Sequence, residues 1–310
     1  MELRKDYFLE RFVIVAPNRD NRPSDVIENV LQKPAVDVFG EGNESLNPDE
    51  IGRLIRNGKW VVRWFKNKYP AVLDKKSEDV MPESRFFSSS PAFGFHEVIV
   101  ESAKRDVQLS HLSEKEIEDV LQVYARRIIE IEAREGIKYV SLFKNHGFQA
   151  GSSIVHSHAQ AIGLGFVPPE VQEKLDASRK FLRCPYCSVL EEEKGSARVV
   201  FENDDFVAFC PFASRFNYEV WVWPKNHATR FEEFNLSSLS KILKPILSRL
   251  DEKNIDYNMH VTYSPKGDDL HAHLEISPRV SRWGGFELTS GVIINSVSPE
   301  AAAKFYKKED

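Results

Sequence analysis

The stretch of this 310-residue sequence with the clearest potential for chemistry runs from residue 145 to residue 160. It places glycines and small polar residues before two histidines, His156 and His158, at positions i and i+2. On a strand these two imidazoles would share a face, because successive side chains alternate. Glycines let the backbone approach a ligand closely, and neutral amides and hydroxyls donate to phosphate oxygens. The residues that supply these groups are Asn145, Gly147, Gly151, Ser152, Ser153 and Gln160.

Imidazole suits nucleophilic attack on phosphorus because it is substantially neutral near pH 7 and forms a phosphoimidazolium that passes the group onward. A single histidine on a strand is more often a structural residue. Two histidines in a setting of glycine, serine and amide side chains favour the chemical interpretation. The sequence therefore predicts a phosphate-binding cradle that faces a nucleophilic histidine.

The composition of the whole chain excludes several other classes of function. With 42 lysines and arginines against 47 aspartates and glutamates, the net charge is −5, so no broad basic surface attracts a nucleic acid. No apolar run approaches the roughly 18 residues that span a bilayer, and the N-terminus does not resemble a signal peptide. We expect a cytoplasmic protein with no nucleic-acid partner and no membrane segment.

Several landmarks recur in the same order in both halves of the chain: a Phe-x-Asn triplet, an apolar run, a helix pattern, a tyrosine-led strand and a His-x-His motif. They lie at 65–67, 97–100, 113–136, 139–143 and 156–158, and again at 201–203, 219–222, 239–250, 257–263 and 271–273. The recurrence predicts two related α+β units with helices packed on antiparallel sheets. A polar connector from Val167 to about Leu182 separates them, so we place the domains at 1–176 and 177–310.

The helix patterns carry their own start and stop signals. Ser113 and Glu116 form a capping box, the apolar residues that follow share one face, and Gly136 ends the pattern. In the second half the pattern from 239 to 250 contains Pro245, which would kink the helix or mark its first turn.

The active-site stretch resembles the galactose-1-phosphate uridylyltransferase family, a two-repeat branch of the histidine-triad superfamily that includes ADP-glucose phosphorylase-like members. The shared pattern is Asn145, Gly151-x-Ser153 and His156-x-His158-x-Gln160. Less specific matches extend along nearly the whole chain, at 15–23, 42–44, 65–71, 94–101 and 283–287. The resemblance implies two tandem histidine-triad-like repeats, of which the N-terminal one is catalytic.

The resemblance also implies a ping-pong reaction. A histidine takes the nucleoside monophosphate from a nucleotide sugar, releases a sugar 1-phosphate, and hands the nucleotide to a second sugar 1-phosphate. His158 matches the nucleophile, and Gln160 matches the residue that binds the non-bridging phosphate oxygens. Glu287 matches the ligand of the hexose hydroxyls, and Phe286 beside it is predicted to belong to the same sugar site. The implied nucleotide and phosphate ligands are Arg19, Arg22, Asn43, Asn67, Asn145, Gly151, Ser152 and Ser153.

Many members of this family bind zinc in the first repeat through a Cys-x-x-Cys pair, a later histidine and the first histidine of His-x-His. The corresponding positions in this chain are Asp37, Gly40, Arg105 and His156. A tetrahedral zinc cannot be assembled from that set. We predict no metal in the first repeat, and we expect His156 to act as a hydrogen-bonding neighbour that orients the site.

The second repeat, in contrast, offers a complete Cys₂His₂ set: Cys184, Cys187, His227 and His271. Thiolates and imidazoles are the ligands that a structural zinc prefers, so we predict one structural zinc per chain. Some relatives instead bind a metal through three histidines and a glutamate. The matching histidines would be His260, His271 and His273. The carboxylate expected around Glu173 or Lys174 is not clearly in place, so we prefer the Cys₂His₂ site.

His273 lies where the nucleophile of a second catalytic repeat would be, but Leu274-Glu275 follows it where Ala159-Gln160 follows His158. This difference predicts one active site per chain. A homodimer is expected by analogy with the family.

The leading interpretation is uridylyl transfer between UDP-glucose and a hexose 1-phosphate. An adenylyl enzyme of the same family, acting on ADP-glucose with phosphate or a sugar 1-phosphate, is the first alternative, because one sequence does not reveal which base is bound. A histidine-triad nucleotide hydrolase is the second, although such proteins typically have a histidine where Gln160 stands. A zinc-stabilised binding module is the third, but it would not need Arg19, Arg22 and His158 together.

Overall fold

The computed structural model describes residues 1–19, 36–74, 81–82 and 86–309. Its strands are β1 (Glu2–Lys5), β2 (Phe12–Val15), β3 (Glu50–Arg56), β4 (Lys59–Lys66), β5 (Met81–Pro82), β6 (Ser88–Ser89), β7 (Gly94–Val100), β8 (Tyr139–His146), β9 (His158–Leu164), β10 (Val199–Glu202), β11 (Phe206–Phe209), β12 (Val220–Pro224), β13 (Tyr257–Thr262), β14 (His273–Pro278) and β15 (Ile293–Asn295). The α-helices are α1 (Glu114–Glu132), α2 (Pro169–Ser178), α3 (Pro185–Glu193), α4 (Leu236–Glu252), α5 (Gly285–Ser290) and α6 (Pro299–Lys307).

Ten of these strands form one antiparallel sheet in the order β10-β11-β12-β14-β13-β8-β9-β7-β4-β3. Strands β13 and β8 meet at its centre, where Asn258 lies opposite Asn145. Each of these two strands follows the long helix of its own half, and the remaining strands continue outward in the same sequence on both sides. The sheet therefore repeats its topology about the central pair, which confirms the predicted α+β class.

One continuous sheet joins the two halves, and helix α2 spans the boundary that we placed at residue 176. That boundary stays a prediction. Strands β1, β2 and β15 form a separate small sheet, in which β15 runs parallel to β2. A short 3₁₀ helix, Pro17–Arg19, follows β2 directly.

Helix α1 begins where the sequence predicts. The Ser113 side chain accepts a hydrogen bond from the Glu116 amide, and the Glu116 carboxylate accepts one from the Ser113 amide. The helix ends at Glu132, before the turn that contains Gly136, so the predicted end is a turn too late. Helix α4 extends beyond its predicted range at both ends and carries Pro245 in its interior. The helices α1 and α4 pack against each other.

Strand β9 positions the predicted nucleophile by simple alternation. Ala159 and Ala161 are fully buried in the core cluster that also contains the apolar face of α1. His158 and Gln160 therefore point to the opposite face of the sheet, away from the helices. The small side chains on the helix side let α1 lie close to the strand.

The expectation that His156 and His158 share one face of a strand is wrong. Strand β9 begins at His158, and His156 lies in the bend before it. The His156 ring is instead directed by its own hydrogen bonds, to the carboxylate of Asp37 and to the carbonyl of Ser102. Side-chain partners rather than strand periodicity set its orientation.

No helix within the described ranges is both long enough and apolar enough to cross a membrane.

Gly163 on β9 offers a test of the packing between this strand and α1. A Cβ built at Gly163 would lie 2.5 Å from Cγ2 of Ile131, closer than van der Waals contact permits. We expect Gly163→Ala to lower the free energy of unfolding by about 1–3 kcal/mol, because the helix must shift to admit the methyl group. Urea denaturation measures this change.

Gly165→Ala is the matched control. A Cβ there would lie 3.4 Å from Cδ1 of Phe93, which is nearly ordinary contact, so its effect should stay within about 0.5 kcal/mol. Equal stability of the two variants would show that α1 does not pack on β9 as tightly as described.

Candidate active site and metal centre

The imidazole of His158 is held in one tautomer. Its Nδ1 donates to the carbonyl oxygen of His156 at 2.8 Å, which leaves the lone pair on Nε2. The residue is only 7% exposed, and burial lowers the pKa of His158 to about 4 from its ordinary value of 6.5. At neutral pH the ring is therefore uncharged, with a nucleophilic nitrogen at Nε2.

A buried charged network supports the backbone of this histidine. Lys144 donates to Glu101 at 2.6 Å, to Ser157 at 3.0 Å and to the carbonyl oxygen of His158 at 3.3 Å. Tyr124 and Ser157 also donate to Glu101. Burial opposes ionisation of Glu101, but the Lys144 charge and these hydrogen bonds lower its pKa and so favour the carboxylate. These contacts hold residues 157–158 in place.

Gln160 is oriented by a histidine to which the sequence analysis assigned no role. His96 on β7 accepts a hydrogen bond from the Ala71 amide at Nδ1, so Nε2 carries its proton and donates to the Gln160 side-chain oxygen at 2.8 Å. Asn67 lies 3.4 Å from the same oxygen. With its oxygen held in this way, Gln160 presents its amide nitrogen as the donor. Burial lowers the pKa of His96, which keeps the ring neutral in this role.

The sequence carried one signal for His96, since it lies in the matched stretch 94–101, but its role depends on strand pairing. Val98 of β7 lies opposite Gln160 of β9, which brings His96 diagonally beside the glutamine. One chain cannot reveal such a register.

His158 lines a cavity of about 1000 Å³. Its walls come from both halves of the chain: segments 144–149 and 154–158 of the first, and segments 253–256 and 279–282 of the second. The second half contributes the basic side chains Lys253, Arg279 and Arg282 and the acidic side chains Asp251 and Asp256. The cavity therefore has a neutral imidazole on one side and, on the other, a wall of mixed charge whose cations could bind a phosphate.

The glycine-rich turn before His156 is closed by its own hydrogen bonds. The Gly151 amide donates to the carbonyl of Phe148, and the Ser152 amide donates to that of Gly147. Gly147 and Gly151 both have φ of +82°, and a side chain at Gly147 would collide with Asp256. In this conformation the Gly151 amide is already occupied, so the turn contributes its shape rather than a free backbone donor there.

Other predicted ligands fall into two groups. Asn145 and Ser152 line the cavity, and Asn258 donates to the Asn145 side-chain oxygen at 2.9 Å, which leaves the Asn145 amide nitrogen as a donor. Ser153 is exposed and does not line the cavity. Asn43 donates to the Asp37 carbonyl within its own turn. The roles of these residues toward a ligand stay predictions.

The predicted ligands Arg19, Phe286 and Glu287 do not line the cavity. Arg19 is exposed at the end of its 3₁₀ helix, and Arg22 lies outside the described residues. Phe286 and Glu287 do not line the cavity of their own chain. The Glu287 carboxylate accepts from the Gly284 amide at 2.9 Å and so caps helix α5. The roles of these residues toward a ligand stay predictions.

In the second half, the four predicted metal ligands come together. The donor atoms of Cys184, Cys187, His227 and His271 all lie within 4.8 Å of one another. His271 Nδ1 lies 3.9 and 3.6 Å from the two sulfurs, and His227 Nδ1 lies 3.5 Å from Cys187 Sγ. Tetrahedral coordination at about 2.0–2.3 Å requires ligand separations of roughly 3.3–3.8 Å. The cluster could hold a metal ion.

The far side of each imidazole is also fixed. His271 Nε2 donates to the carbonyl of Pro224 at 3.1 Å, and His227 Nε2 donates to Asp269 at 2.7 Å. These partners place the protons on Nε2 and direct the Nδ1 lone pairs to the centre of the cluster, as is usual for histidine ligands of metals. The first half has no comparable cluster among the residues described.

The site of the second half that corresponds to His158 is filled by the chain itself. His273 Nδ1 donates to the carbonyl of His271 at 2.8 Å, the same arrangement as in His158. Its Nε2, however, lies 2.9 Å from Glu275, and the ammonium of Lys174 lies 3.5 Å away in a buried ion pair with that carboxylate. Lys174 of α2 thus occupies a position where the alternative metal site of three histidines would need a carboxylate. The atom that corresponds to the nucleophile faces this ion pair rather than a cavity.

The low pKa of His158 can be tested without a substrate. We expect NMR titration of the His158 ring to give a midpoint near 4, because burial disfavours the imidazolium. The signal that disappears in His158→Gln assigns the residue. A midpoint at or above the ordinary value would mean that water reaches the ring and that it is partly protonated at neutral pH.

Comparison with known proteins identifies the family to which this fold belongs. The family model for the N-terminal domain of galactose-1-phosphate uridyl transferase matches residues 3–168. An ADP-glucose phosphorylase of Arabidopsis thaliana is 33% identical over 99% of this chain and 92% of its own length. A galactose-1-phosphate uridylyltransferase of Thermotoga maritima is 27% identical over 98% of this chain and 97% of its own length.

A crystal structure of an ADP-glucose phosphorylase from Arabidopsis thaliana with bound ADP-glucose matches with a TM-score of 0.84 at 32% identity, over 99% of this chain and 98% of that one. The match extends through both halves of the ten-stranded sheet. The resemblance seen in the sequence is confirmed: the chain belongs to the galactose-1-phosphate uridyl transferase family, whose enzymes are of the nucleotidyltransferase type.

Proposed function

We propose that this chain transfers a nucleoside monophosphate from a nucleotide sugar to a sugar 1-phosphate or to phosphate, through a covalent intermediate on His158. The observation that carries the proposal is the neutral, tautomerically fixed imidazole, whose Nε2 lies at a cavity large enough for a nucleotide-bearing ligand. Two half-reactions then share one nucleophile.

In the first half-reaction, the Nε2 lone pair of His158 attacks the α-phosphorus. The new P–N bond forms as the bond from phosphorus to the bridging oxygen breaks, and the sugar 1-phosphate leaves with that oxygen. The ring becomes positively charged, and the proton stays on Nδ1, where its hydrogen bond to the carbonyl oxygen of His156 stabilises the charge. In the second half-reaction, a phosphate oxygen of the acceptor attacks phosphorus, the P–N bond breaks, and His158 returns to its neutral form.

Neutral donors and cations have separate tasks in this scheme. The amide nitrogens of Gln160 and Asn145, each set by a partner on its oxygen, would donate to the non-bridging oxygens. Arg19 and Arg22 would neutralise charge on the transferred group and the leaving group, as the family resemblance implies. Lys253, Arg279 and Arg282 lie at the cavity on the second-half side.

Members of the family differ in the nucleotide base of the donor. Uridylyl transfer from UDP-glucose to a hexose 1-phosphate follows from the resemblance in the active-site motif. Adenylyl transfer from ADP-glucose is the second candidate, and it is favoured by the higher identity to the plant phosphorylase than to the bacterial uridylyltransferase.

Intact-protein mass spectrometry separates these candidates. Purified protein is incubated separately with UDP-glucose, ADP-glucose and diadenosine polyphosphate, without an acceptor. We expect one nucleotidyl increment per chain with one of the nucleotide sugars, because the sugar 1-phosphate leaves and the P–N bond persists. The identity of the increment reports the base.

His158→Ala should abolish the mass increment. His273→Ala, if the variant folds, should still show it, because His273 faces the ion pair of Lys174 and Glu275. Release of free mononucleotide without an adduct would favour a histidine-triad hydrolase. The absence of both adduct and turnover with every donor would refute nucleotidyl transfer.

The Cys₂His₂ cluster is proposed to hold one structural zinc. Its two sulfurs and two imidazole nitrogens have the separations and the chemistry that tetrahedral Zn²⁺ requires, and four protein ligands leave no open position for catalysis. The ion would join the segment before α3 to the loop after β12 and the start of β14. Zinc therefore stabilises the second repeat and takes no part in the proposed phosphoryl chemistry.

Metal analysis and thermal unfolding test this proposal. We expect about one zinc per chain, and we expect its removal by a chelator to lower the melting temperature, because metal binding contributes free energy to the folded state only. Cys187→Ser should lose the metal. Cys210→Ala, which alters a buried cysteine outside the cluster, should keep it. A variant at Cys187 with full zinc content would contradict the ligand set.

A homodimer and a cytoplasmic location stay predictions from the sequence and the family. Phe286 is 49% exposed and, together with Glu287, lies away from the cavity of its own chain. This placement supports a dimer in which each subunit supplies these residues to the sugar pocket of the other.

A further inference from the structure

Asp37 and His156 form a hydrogen-bonded pair beside the proposed nucleophile. The His156 side chain has no exposed surface, and Asp37 is 15% exposed. His156 Nδ1 lies 2.9 Å from the Asp37 carboxylate, and Nε2 lies 2.7 Å from the carbonyl oxygen of Ser102. Carboxylate and carbonyl oxygens only accept, so the ring can donate to either of them. The His156 ring is held between Asp37 and Ser102.

The turn that carries Asp37 is built to hold its carboxylate in place. The Asp37 backbone carbonyl accepts from the side chain of Asn43 at 2.8 Å, and the carboxylate accepts from the Phe39 amide at 3.3 Å. A Cβ at Gly40 would lie 2.6 Å from Oδ2 of Asp37, so only glycine leaves the carboxylate its room. Phe39 is buried in an apolar cluster with Trp60 and Phe65.

The Asp37–His156 pair is connected to His158 by one hydrogen bond and by one shared aromatic contact. The carbonyl that fixes the His158 tautomer belongs to His156 itself. The ring of Phe39 packs edge-on against both imidazoles, with centroid separations of 6.1 Å to His156 and 5.3 Å to His158. A shift of His156 therefore moves both the acceptor of the nucleophile and the aromatic wall beside it.

We propose that Asp37 is a positioning residue for His158 and acts through His156. By accepting from the His156 ring, its carboxylate ties the 37–43 turn to the segment before β9 and holds the His156 carbonyl against His158 Nδ1. The family resemblance implies a metal at the corresponding positions in many members, whereas here a carboxylate and an imidazole connect the two segments. This inference rests on the proposed role of His158 as the nucleophile.

A purely structural pair would have a different signature from a positioning pair. Removal of a structural contact lowers stability but leaves the chemical rate of the folded protein unchanged. Loss of a positioning contact lowers the rate of nucleotidyl transfer in the folded protein, while donor binding, which depends on many other groups, changes less.

The experiment compares Asp37→Asn with Asp49→Asn, which makes the same change at an exposed residue beyond the same turn. Single-turnover formation of the His158 adduct is followed with the nucleotide sugar that labels the wild type, at a temperature where unfolding curves show each variant to be folded. We expect the rate to fall on the order of 10- to 100-fold in Asp37→Asn, as for other residues that orient a functional histidine. The Asp49→Asn rate and the donor concentration at half-saturation should stay within about twofold of wild type in both variants.

An equal rate in Asp37→Asn and wild type, with the adduct formed, would overturn the inference while the proposed function stands. If the wild type forms no adduct with any donor, the proposed function fails, and NMR of the histidine rings decides the pairing by itself. In ¹⁵N-labelled wild type, His156 should show a slowly exchanging Nδ1–H proton, assigned by its loss in His156→Gln, because Asp37 accepts from that nitrogen. The same spectrum decides the question if Asp37→Asn does not fold: a slowly exchanging Nδ1–H proton supports the pair, and its absence overturns it.

Discussion

The hydrogen bond from His158 Nδ1 to the carbonyl of His156 is the interaction on which the proposed chemistry depends. It selects the tautomer, keeps the lone pair on Nε2, and leaves a proton positioned to stabilise a charged intermediate. This hydrogen bond joins a side chain to the carbonyl of a residue only two positions earlier, which is geometrically demanding. The backbone at both His156 and His158 must therefore be fixed. Lys144 fixes the carbonyl of His158, and Asp37 holds the ring of His156.

The two halves of the sheet use this same local geometry for different purposes. In the first half, His158 borders a cavity and carries no charge. In the second half, His273 makes the equivalent hydrogen bond, but Lys174 and Glu275 fill the space in front of it. A buried ion pair is stable only when both partners are present, and removal of one leaves an uncompensated charge. The second half thus provides stability and cavity walls, and the proposed chemistry belongs to the first.

Two amide side chains at the site are each held by a partner that determines their orientation. His96 holds the oxygen of Gln160, and Asn258 holds that of Asn145, so both amides present nitrogen donors. Such preorganisation matters because a donor that is already aligned needs no rearrangement when charge develops on phosphorus. The site relies on neutral donors near the reacting atoms, which agrees with the net negative charge of the chain.

The sequence by itself determined the capped start of α1, the alternation that turns His158 and Gln160 away from the helices, the two-fold recurrence, and the four Cys and His side chains that could hold a metal. The first two depend on residue type and spacing within short segments, and the last two on motifs distributed along the chain. Only the tertiary structure decided the pairing of His156 with Asp37 and the closure of the second site by Lys174, since long-range side-chain contacts depend on strand register and loop approach. For the same reason the role of His96 was missed, whereas the sugar-binding role of Glu287 stays a prediction.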